Sequence, residues 1–210
     1  MIKRNWKVLM LTSVVCLLPI LVGLLLWEKL PQQVPCHWNV QGEVDQWASK
    51  PVAVFLMPLM MLAIQWLCAW ATQADPKKQG ISDKMFQLVL WIVPVLDVVL
   101  CSVMYLSALG QEIRMEVLMP VIMGLLFVII GNYLPKCKQS YTLGIKLPWT
   151  LNSEENWNKT HRLAGWLWTV CGIVMTLAGF LGGFWILMVI MAVMVLLPAV
   201  YSYLLYRKGI

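Results

Sequence analysis

The sequence predicts an all-α, polytopic membrane protein with six transmembrane helices, and three observations lead to that class. Of 210 residues, 60% are hydrophobic and 12% are charged, whereas a soluble domain has about 45–50% apolar and about 25% charged residues. The mean hydropathy is +0.75. The apolar residues also fall into six blocks, each long enough at about 1.5 Å per residue to cross a hydrocarbon core of about 30 Å.

The whole chain, residues 1–210, is interpreted as a single membrane domain. A predicted outer loop covers 28–50 and a predicted inner loop covers 135–162. The first apolar run is too long for a signal peptide and no small-x-small cleavage site follows it, so we interpret it as a retained helix. The six predicted spans are 8–27, 51–71, 85–107, 117–134, 163–180 and 183–205.

The basic residues predict the orientation, because Lys and Arg accumulate in cytoplasmic loops. Thirteen of the sixteen Lys and Arg residues fall on one side of the alternating spans, and only Lys29, Lys50 and Arg114 fall on the other. Both termini are therefore predicted to be cytoplasmic. The net charge of +6 then reflects topology and attraction to the anionic headgroups of the lipid bilayer, and we expect no direct contact with nucleic acid.

Proline interrupts five of the predicted helices, which neighbouring helices can accommodate in a bilayer. These residues are Pro19, Pro58, Pro94, Pro120 and Pro198. The fifth helix instead carries a stripe of small residues: Gly165, Thr169, Gly172, Thr176 and Gly179. Such a stripe favours close helix packing, either within the bundle or between two copies of the chain, so the oligomeric state stays open. Leu181, Gly182 and Gly183 predict a tight hairpin between the last two helices.

Cysteine and histidine give little support for a metal or redox site. The six Cys residues contain no CxxC, and His37 and His161 lie on opposite predicted sides of the membrane. A site that combines His37 with Glu43 or Asp45 is conceivable, but we expect no metal and no cofactor. The sequence also lacks HExxH, GxSxG and phosphate-binding glycine motifs, so we do not expect an enzyme.

One ionisable residue, Asp97, lies well inside a predicted span, within WIVPVLDVVLCSVMYL. A carboxylate at that depth is costly and marks either an ion pathway or a paired polar site. The structural interpretation is a hydrogen bond to a neighbouring helix, for example to Gln65. The functional interpretation is a small-molecule or ion transporter with a site near the midplane.

The predicted outer loop, LPQQVPCHWNVQGEVDQWASKP, is dense in Pro, Trp and polar residues. Pro31 and Pro35 favour extended backbone before them, and residues 39–42 predict a turn with Gly42 at positive φ. Trp38 and Trp47 suit the membrane interface.

The predicted inner loop lies within GNYLPKCKQSYTLGIKLPWTLNSEENWNKTHRLAG, residues 131–165. Asn152, with Glu155 three residues later, predicts the cap of a short helix that runs through Trp157. Its Lys and aromatic residues suit interfacial anchoring. For both loops, anchoring to the interface is the alternative to a binding role.

These two motif blocks resemble those of the SdpI family of bacterial immunity proteins. The match consists of LPxQVPxHWNxxGxxDxWxSK after the first span, with GNYLPKCK, GIKLPWTL and NWNKTHRLAG after the fourth. The resemblance implies a multi-pass protein of the bacterial cytoplasmic membrane that gives immunity to a secreted hydrophobic peptide toxin. It further implies signal transduction, in which an ArsR-type autorepressor is sequestered at the membrane.

The resemblance also suggests site residues, and one departure from the family pattern is Ser140, where we expect Asn. The residues expected to bind the toxin are His37, Trp38, Asn39, Gly42, Asp45 and Trp47. The residues expected to dock a cytoplasmic partner are Lys136, Lys146, Pro148, Trp149, Asn152, Trp157 and His161.

Overall fold

The computed structural model describes residues 1–181 and 184–210, and of Phe184 and Trp185 the backbone alone. Its elements in chain order are α1 (Trp6–Leu25), β1 (Gln33–Trp38), β2 (Val44–Ser49), α2 (Met57–Ala74), α3 (Asp83–Ala108), α4 (Met115–Tyr133), α5 (Pro148–Asn152), α6 (Glu154–Leu181) and α7 (Phe184–Arg207). Within the described part, six helices are long and apolar enough to cross a membrane. The all-α class with six spans is therefore confirmed. The predicted turn at Gly182 and Gly183 lies outside the described residues.

The fifth spanning helix begins at Glu154, nine residues before the predicted start. Hydropathy alone missed this part because it is amphipathic: Trp157 and His161 face the interior while Glu155 and Lys159 pair on the surface, with Oε1 and Nζ 2.7 Å apart. This part of α6 is helical, but its buried face contains too many polar residues to be recognised as an apolar run.

The predicted cap at Asn152 is wrong. Asn152 is the last residue of α5, a short helix that begins at Pro148. Ser153 precedes α6 instead, and its Oγ accepts a hydrogen bond of 3.2 Å from the N–H of Asn156. Ser153 is one position closer to the helix that needs the cap, and its short side chain reaches the free N–H groups of the first turn.

By packing, the chain forms two compact units. The first consists of Met1–Ala74 and Ser82–Met115, and the second of Asp75–Ile81 and Glu116–Ile210. The first unit contains α1, α2, α3 and the two-stranded sheet. The second contains α4 to α7 and the long connection before α6.

In the first unit, α2 is entered through one π-helical turn, Val52–Leu56, in which the Met57 N–H bonds to Val52 O. Pro58 follows directly. A proline ring clashes with the carbonyl four residues earlier, here that of Val54, and the wider turn relieves that clash. The prolines inside α1, α3, α4 and α7 likewise leave those helices continuous.

In the second unit, α4 and α6 approach closely through glycines. A Cβ on Gly131 would lie 2.7 Å from the backbone N of Thr169 and 2.9 Å from Gly165 O. A Cβ on Gly172 would lie 2.6 Å from Gly124 O. The small-residue stripe of α6 therefore packs on α4 of the same chain, and the intramolecular interpretation is confirmed.

Candidate functional site

Residues 33–49 form a β-hairpin, where the sequence predicted only a proline-stiffened loop with a turn. Asn39 closes the turn: its Oδ1 accepts the N–H groups of Gln41 (3.0 Å) and Glu43 (2.9 Å). Gly42 has φ +81° and donates its N–H to Asn39 O at 3.0 Å. The predicted turn is confirmed, and its Asx geometry is the local reason for it.

The strand register explains how a proline fits into this sheet. The Lys50 N–H donates to Gln32 O at 2.9 Å, so pairs alternate from there between hydrogen-bonded and non-hydrogen-bonded. Pro35 faces Trp47 in a pair of the second kind. Its missing N–H therefore costs no ladder bond.

The hairpin exposes several of the predicted toxin-binding side chains. Trp47 is 55% exposed, and His37 Nδ1 lies 2.5 Å from Asp45 Oδ1 with both side chains largely accessible. Trp38 is half-buried. Asp45 and Trp47 are both exposed and lie two residues apart on β2, and Asp45 is the residue that the pairing skips between His37–Gln46 and Trp38–Val44.

The base of the hairpin is held by a buried cation. Lys50 is 7% exposed, and its Nζ donates to Trp27 O at 3.0 Å and lies 5.1 Å from the Trp27 ring centroid.

Cys36, on β1, is half-buried, and burial first and the Asp45 carboxylate second raise the pKa of its thiol. The thiol is therefore protonated at neutral pH.

We use the name loop module for residues 75–81 and 134–162, which all belong to the second unit. Its centre is Trp157, which is fully buried and donates its Nε1–H to Cys137 O at 2.7 Å. The ring stacks on His161 at 4.0 Å. His161 Nε2 accepts the N–H of Ile145 at 2.8 Å, so Nδ1 carries the hydrogen that it shares with Trp157 O.

Gly144 is the glycine that this centre requires. Its φ is +96°, and a Cβ would lie 2.8 Å from Cζ2 of Trp157 and in contact with His161. The motif stretches GIKLPWT and NWNKTH therefore meet to build a core.

This placement corrects two of the predicted docking residues. Trp157 is 0% and His161 is 1% exposed, so neither can present its side chain to a partner. Their conspicuous residue types serve packing and hydrogen bonding inside the loop module. The predicted docking residues that remain on the surface are Lys136, Lys146, Pro148 and Asn152, with Trp149 half-buried between them and α7.

The position that departs from the family pattern also has a structural role. Ser140 is 0% exposed, and its Oγ both accepts the N–H of Leu143 (3.0 Å) and donates to its carbonyl (2.9 Å). The Ser140 hydroxyl thereby closes the turn formed by residues 140–143.

Sequence reasoning missed Asn156, which joins α6 to α7. Its Nδ2 donates to Ser202 O at 3.0 Å, and its Oδ1 accepts from Ser202 Oγ at 2.7 Å and from Thr160 Oγ1 at 3.1 Å. Only the helical spacing of Asn156 and Thr160 could have indicated this network.

Sequence reasoning also missed Asp75, a carboxylate that is 2% exposed. One oxygen accepts the N–H of Lys77 at 2.8 Å; the other accepts the N–H of Tyr141 (2.9 Å) and the N–H (2.9 Å) and Oγ1–H (2.7 Å) of Thr142. Burial by itself would raise the pKa of Asp75, but the hydrogen bonds from the Thr142 side chain and from three backbone N–H groups lower it below the usual value. Asp75 is therefore a stable buried anion.

Asp97 lies in α3 and is 1% exposed. The Cys101 thiol donates to its Oδ1 at 3.4 Å, and among the described residues its Oδ2 has no hydrogen-bond partner. The expected bond to Gln65 is wrong. Gln65 instead bonds Thr12 and Cys16, both on α1.

No group of three or more metal-ligating side chains occurs in the part of the chain that the structure describes. The histidine of the hairpin pairs with Asp45, and Glu43 accepts a hydrogen bond of 3.2 Å from Asn39 Nδ2 instead of joining them.

Comparison with known proteins finds a family model in each region and one relative that covers both. The SdpI/YfhL protein family model matches residues 136–202, and the model of a domain of unknown function (DUF1648) matches residues 14–62. The chain is 26% identical to "Immunity protein SdpI" of Bacillus subtilis (strain 168) over 214 residues, which cover 98% of this chain and 97% of that protein. The resemblance to the SdpI family is confirmed. No solved structure matches the chain significantly.

The two matched segments coincide with the two regions described above. Residues 14–62 contain the hairpin, and residues 136–202 contain most of the loop module with α6. With its six apolar helices, this SdpI-like chain is a multi-pass protein of the cytoplasmic membrane.

Proposed function

We propose that this chain gives its producer immunity to a secreted hydrophobic peptide toxin. The observation that carries the proposal is the similarity to an immunity protein along almost the whole chain. The uneven distribution of Lys and Arg supports an orientation in which the hairpin faces outward, toward a secreted peptide.

The hairpin is the surface that we propose for the peptide. It offers an exposed indole, Trp47, beside an exposed carboxylate, Asp45, with His37 paired to that carboxylate. The hairpin thus offers an apolar and a polar contact to an amphipathic peptide at the membrane surface, and the Asx turn at Asn39 holds the strands that carry them. Trp38 adds a half-buried indole, and Asn39 and Gly42 set the shape of the turn.

The test is survival of a toxin-sensitive bacterium that expresses the chain and is challenged with secreted peptides. Substitution of Trp38 and Trp47 by Ala should reduce survival while the amount of protein in the membrane stays normal. Trp70→Ala is the matched control, because Trp70 is 64% exposed on α2, away from the hairpin. Unchanged survival of the double variant at equal abundance would show that the hairpin is only an interfacial anchor.

We propose in addition that the loop module docks a cytoplasmic ArsR-type autorepressor. The residues for this role are the exposed Lys136, Lys146, Pro148 and Asn152, with Trp149 beside them. A connection that is ordered around its own core suits a protein contact better than a flexible linker does. Substituting Lys146 and Asn152 should abolish recruitment of the repressor and leave toxin protection intact.

The alternative function is transport of a small molecule or an ion through a site at Asp97. The observation that favours it is the buried Oδ2 of Asp97, which has no donor among the described residues. Purified protein in proteoliposomes should then show uptake that Asp97→Asn abolishes. Equal flux in both proteins, or none in either, would reject transport.

A further inference from the structure

The loop module displays cations around a single buried acid. Residues 75–81 and 134–153 contain five lysines, and their one acidic residue is Asp75. The lysines are Lys77, Lys78, Lys136, Lys138 and Lys146; four are exposed and Lys77 is half-buried. The other two acidic residues of the loop module, Glu154 and Glu155, are exposed at the start of α6, where Glu155 pairs with Lys159. The segments before α6 are therefore positive at their surface, because their one carboxylate is buried.

Asp75 fixes the backbone that carries these lysines. Its four hydrogen bonds tie residue 77 to residues 141 and 142, which are more than sixty positions away in the chain. Beside it, a Cβ on Gly80 would lie 3.2 Å from Cβ of Lys138, so the two segments are in direct contact. The two segments that carry the lysines are thus held against each other.

Further hydrogen bonds near Asp75 hold the side chains of Lys77 and Lys146 and connect this region to α5. The Nζ of Lys77 donates to Gln139 Oε1 and lies 5.4 Å from the Tyr141 ring centroid. Gln139 Nε2 in turn donates to the carbonyls of Thr150 (2.7 Å) and Leu151 (2.9 Å). In the same way, the Nζ of Lys146 donates to Thr142 O at 3.1 Å.

Attraction to lipid headgroups does not require such an arrangement. Polybasic segments bind anionic bilayers through charge alone, and they do so without a fixed fold. The four hydrogen bonds that stabilise the Asp75 carboxylate also hold the residues that donate them in one arrangement. Recognition of a second folded protein requires charged groups, here lysines, at fixed positions.

We propose that Asp75 is the positioning residue of a lysine surface, Lys77, Lys136, Lys138 and Lys146, that receives an acidic face of a soluble protein partner. This inference rests on the proposed docking role of the loop module and adds to it the segment 75–81, the charge of the partner and the residue that shapes the site. Asp75 itself does not touch the partner, since its carboxylate is enclosed.

The variant Asp75→Asn separates shape from charge. An amide keeps one acceptor oxygen and replaces the other with an N–H₂ donor. It therefore cannot accept both from the Lys77 N–H and from the donors of Tyr141 and Thr142, and at least one bond is lost, while the net charge of the surface becomes more positive by one. Docking that depends on shape should weaken, whereas docking that depends on charge alone should strengthen. Asp83→Asn is the matched control, because Asp83 is a half-buried aspartate of the first unit that pairs with Arg4 and Asn5 at the start of α3 and, among the described residues, has no bond to the loop module.

The experiment uses the full chain in phosphatidylcholine nanodiscs and, as the probe, a fluorescein-labelled, glutamate-rich helical peptide. Asp75→Asn should weaken peptide binding about tenfold and speed trypsin cleavage after Lys138 and Lys146 by a similar factor. Asp83→Asn should match the wild type in both measurements, and Lys138→Glu with Lys146→Glu should abolish binding. Peptide binding by Asp75→Asn that equals or exceeds the wild type would overturn the proposal.

Thr142→Val is the second variant, for the case in which Asp75→Asn does not fold. It removes one of the four donors and leaves the carboxylate in place, so both measurements should change in the same direction by a smaller factor. Two further results bear on the inference. If phosphatidylglycerol in the nanodisc abolishes peptide binding, the lysines serve the membrane and the proposal is wrong; if binding persists, the proposal is supported.

Failure of this inference is distinguishable from failure of the proposed immunity. Asp75→Asn should still protect cells in the toxin challenge, because the hairpin belongs to the first unit. A wild-type chain that gives no protection would reject the immunity and leave the peptide measurement unaffected.

Discussion

The hairpin, residues 33–49, and the loop module contain the two densest polar motifs of the chain, and they place those residues in opposite ways. The hairpin leaves Trp47 more than half exposed, whereas the loop module encloses Trp157 completely. Both indoles looked alike in the sequence, each beside polar residues and close to a predicted span. The difference teaches that an unusual motif near a membrane can form a binding surface or a folding core, and that residue type does not distinguish them.

The physical reason lies in the number of backbone groups that each region must satisfy. A two-stranded hairpin pairs its own backbone and needs only a turn and a base, here Asn39 and Lys50. The longer connection has few ladder bonds, so side chains such as those of Asp75, Thr150 and His161 must satisfy its N–H groups. Its polar residues are therefore drawn inward.

The largest expected effect concerns the side of the membrane on which each region lies. In a chain with Cys36 and Cys137 replaced by Ala, Gln46→Cys should be labelled by an impermeant maleimide in sealed cells, and Lys138→Cys should not. Both positions are exposed, so access depends on the membrane alone. The opposite result would reverse the orientation and remove the hairpin from contact with a secreted peptide.

Native Cys137 should itself react slowly from either side at neutral pH. It is 6% exposed, and burial first and the Asp75 carboxylate second raise the pKa of its thiol to about 11. Because the thiolate is the reactive form, labelling in detergent should rise as the pH approaches 11. Fast labelling at pH 7 would mean that the loop module is open.

Next in size is the contrast between the two tryptophans. Trp157→Ala should lower the free energy of unfolding by about 3–5 kcal/mol, because it removes a fully buried indole and leaves Cys137 O without its donor. Trp47→Ala should change it by about 0.5 kcal/mol or less. Thermal unfolding in detergent measures both, and equal losses would show that the hairpin is as much a core as the loop module.

Gly144 of the loop module and Gly42 of the hairpin, both at positive φ, should differ by less. Gly144→Ala combines backbone strain with overlap on Trp157 and His161, for a cost of about 2–4 kcal/mol. Gly42→Ala carries the strain, about 1–2 kcal/mol. The same unfolding measurement applies, and Gly144→Ala at or below the cost of Gly42→Ala would mean that the core around Trp157 adjusts freely.

The smallest effect is expected for the pair of His37 and Asp45. Both side chains are accessible, so a double-mutant cycle to Ala should give a coupling below about 1 kcal/mol. Survival in the toxin challenge should nevertheless fall for Asp45→Ala, because the proposed peptide contact with the Asp45 carboxylate is lost. A large coupling with unchanged survival would make the pair a structural brace of the hairpin.

Local chemistry made several features predictable from the sequence. Six spans follow from the length of the apolar runs, and the turn at Asn39 and Gly42 follows from an Asx side chain and a glycine three residues apart. Both depend only on neighbours along the chain. The hairpin could also have been predicted, because residues 44–49 follow the turn directly. The first strand was not recognised because Pro31 precedes it and Pro35 lies within it.

Other features depend on partners far away in the chain. By itself the sequence determined the membrane class, the spans, the small-residue stripe of α6 and the family resemblance, because periodicity, hydropathy and motif order are properties of short stretches. Only the tertiary structure decided that Trp157 and His161 are buried, that Gln65 bonds α1 instead of Asp97, and that Asp75 anchors residues 141 and 142. The reason is that a polar side chain satisfies its hydrogen bonds with whichever groups the fold brings within about 3 Å, and for Asp75 one such group lies 67 positions away.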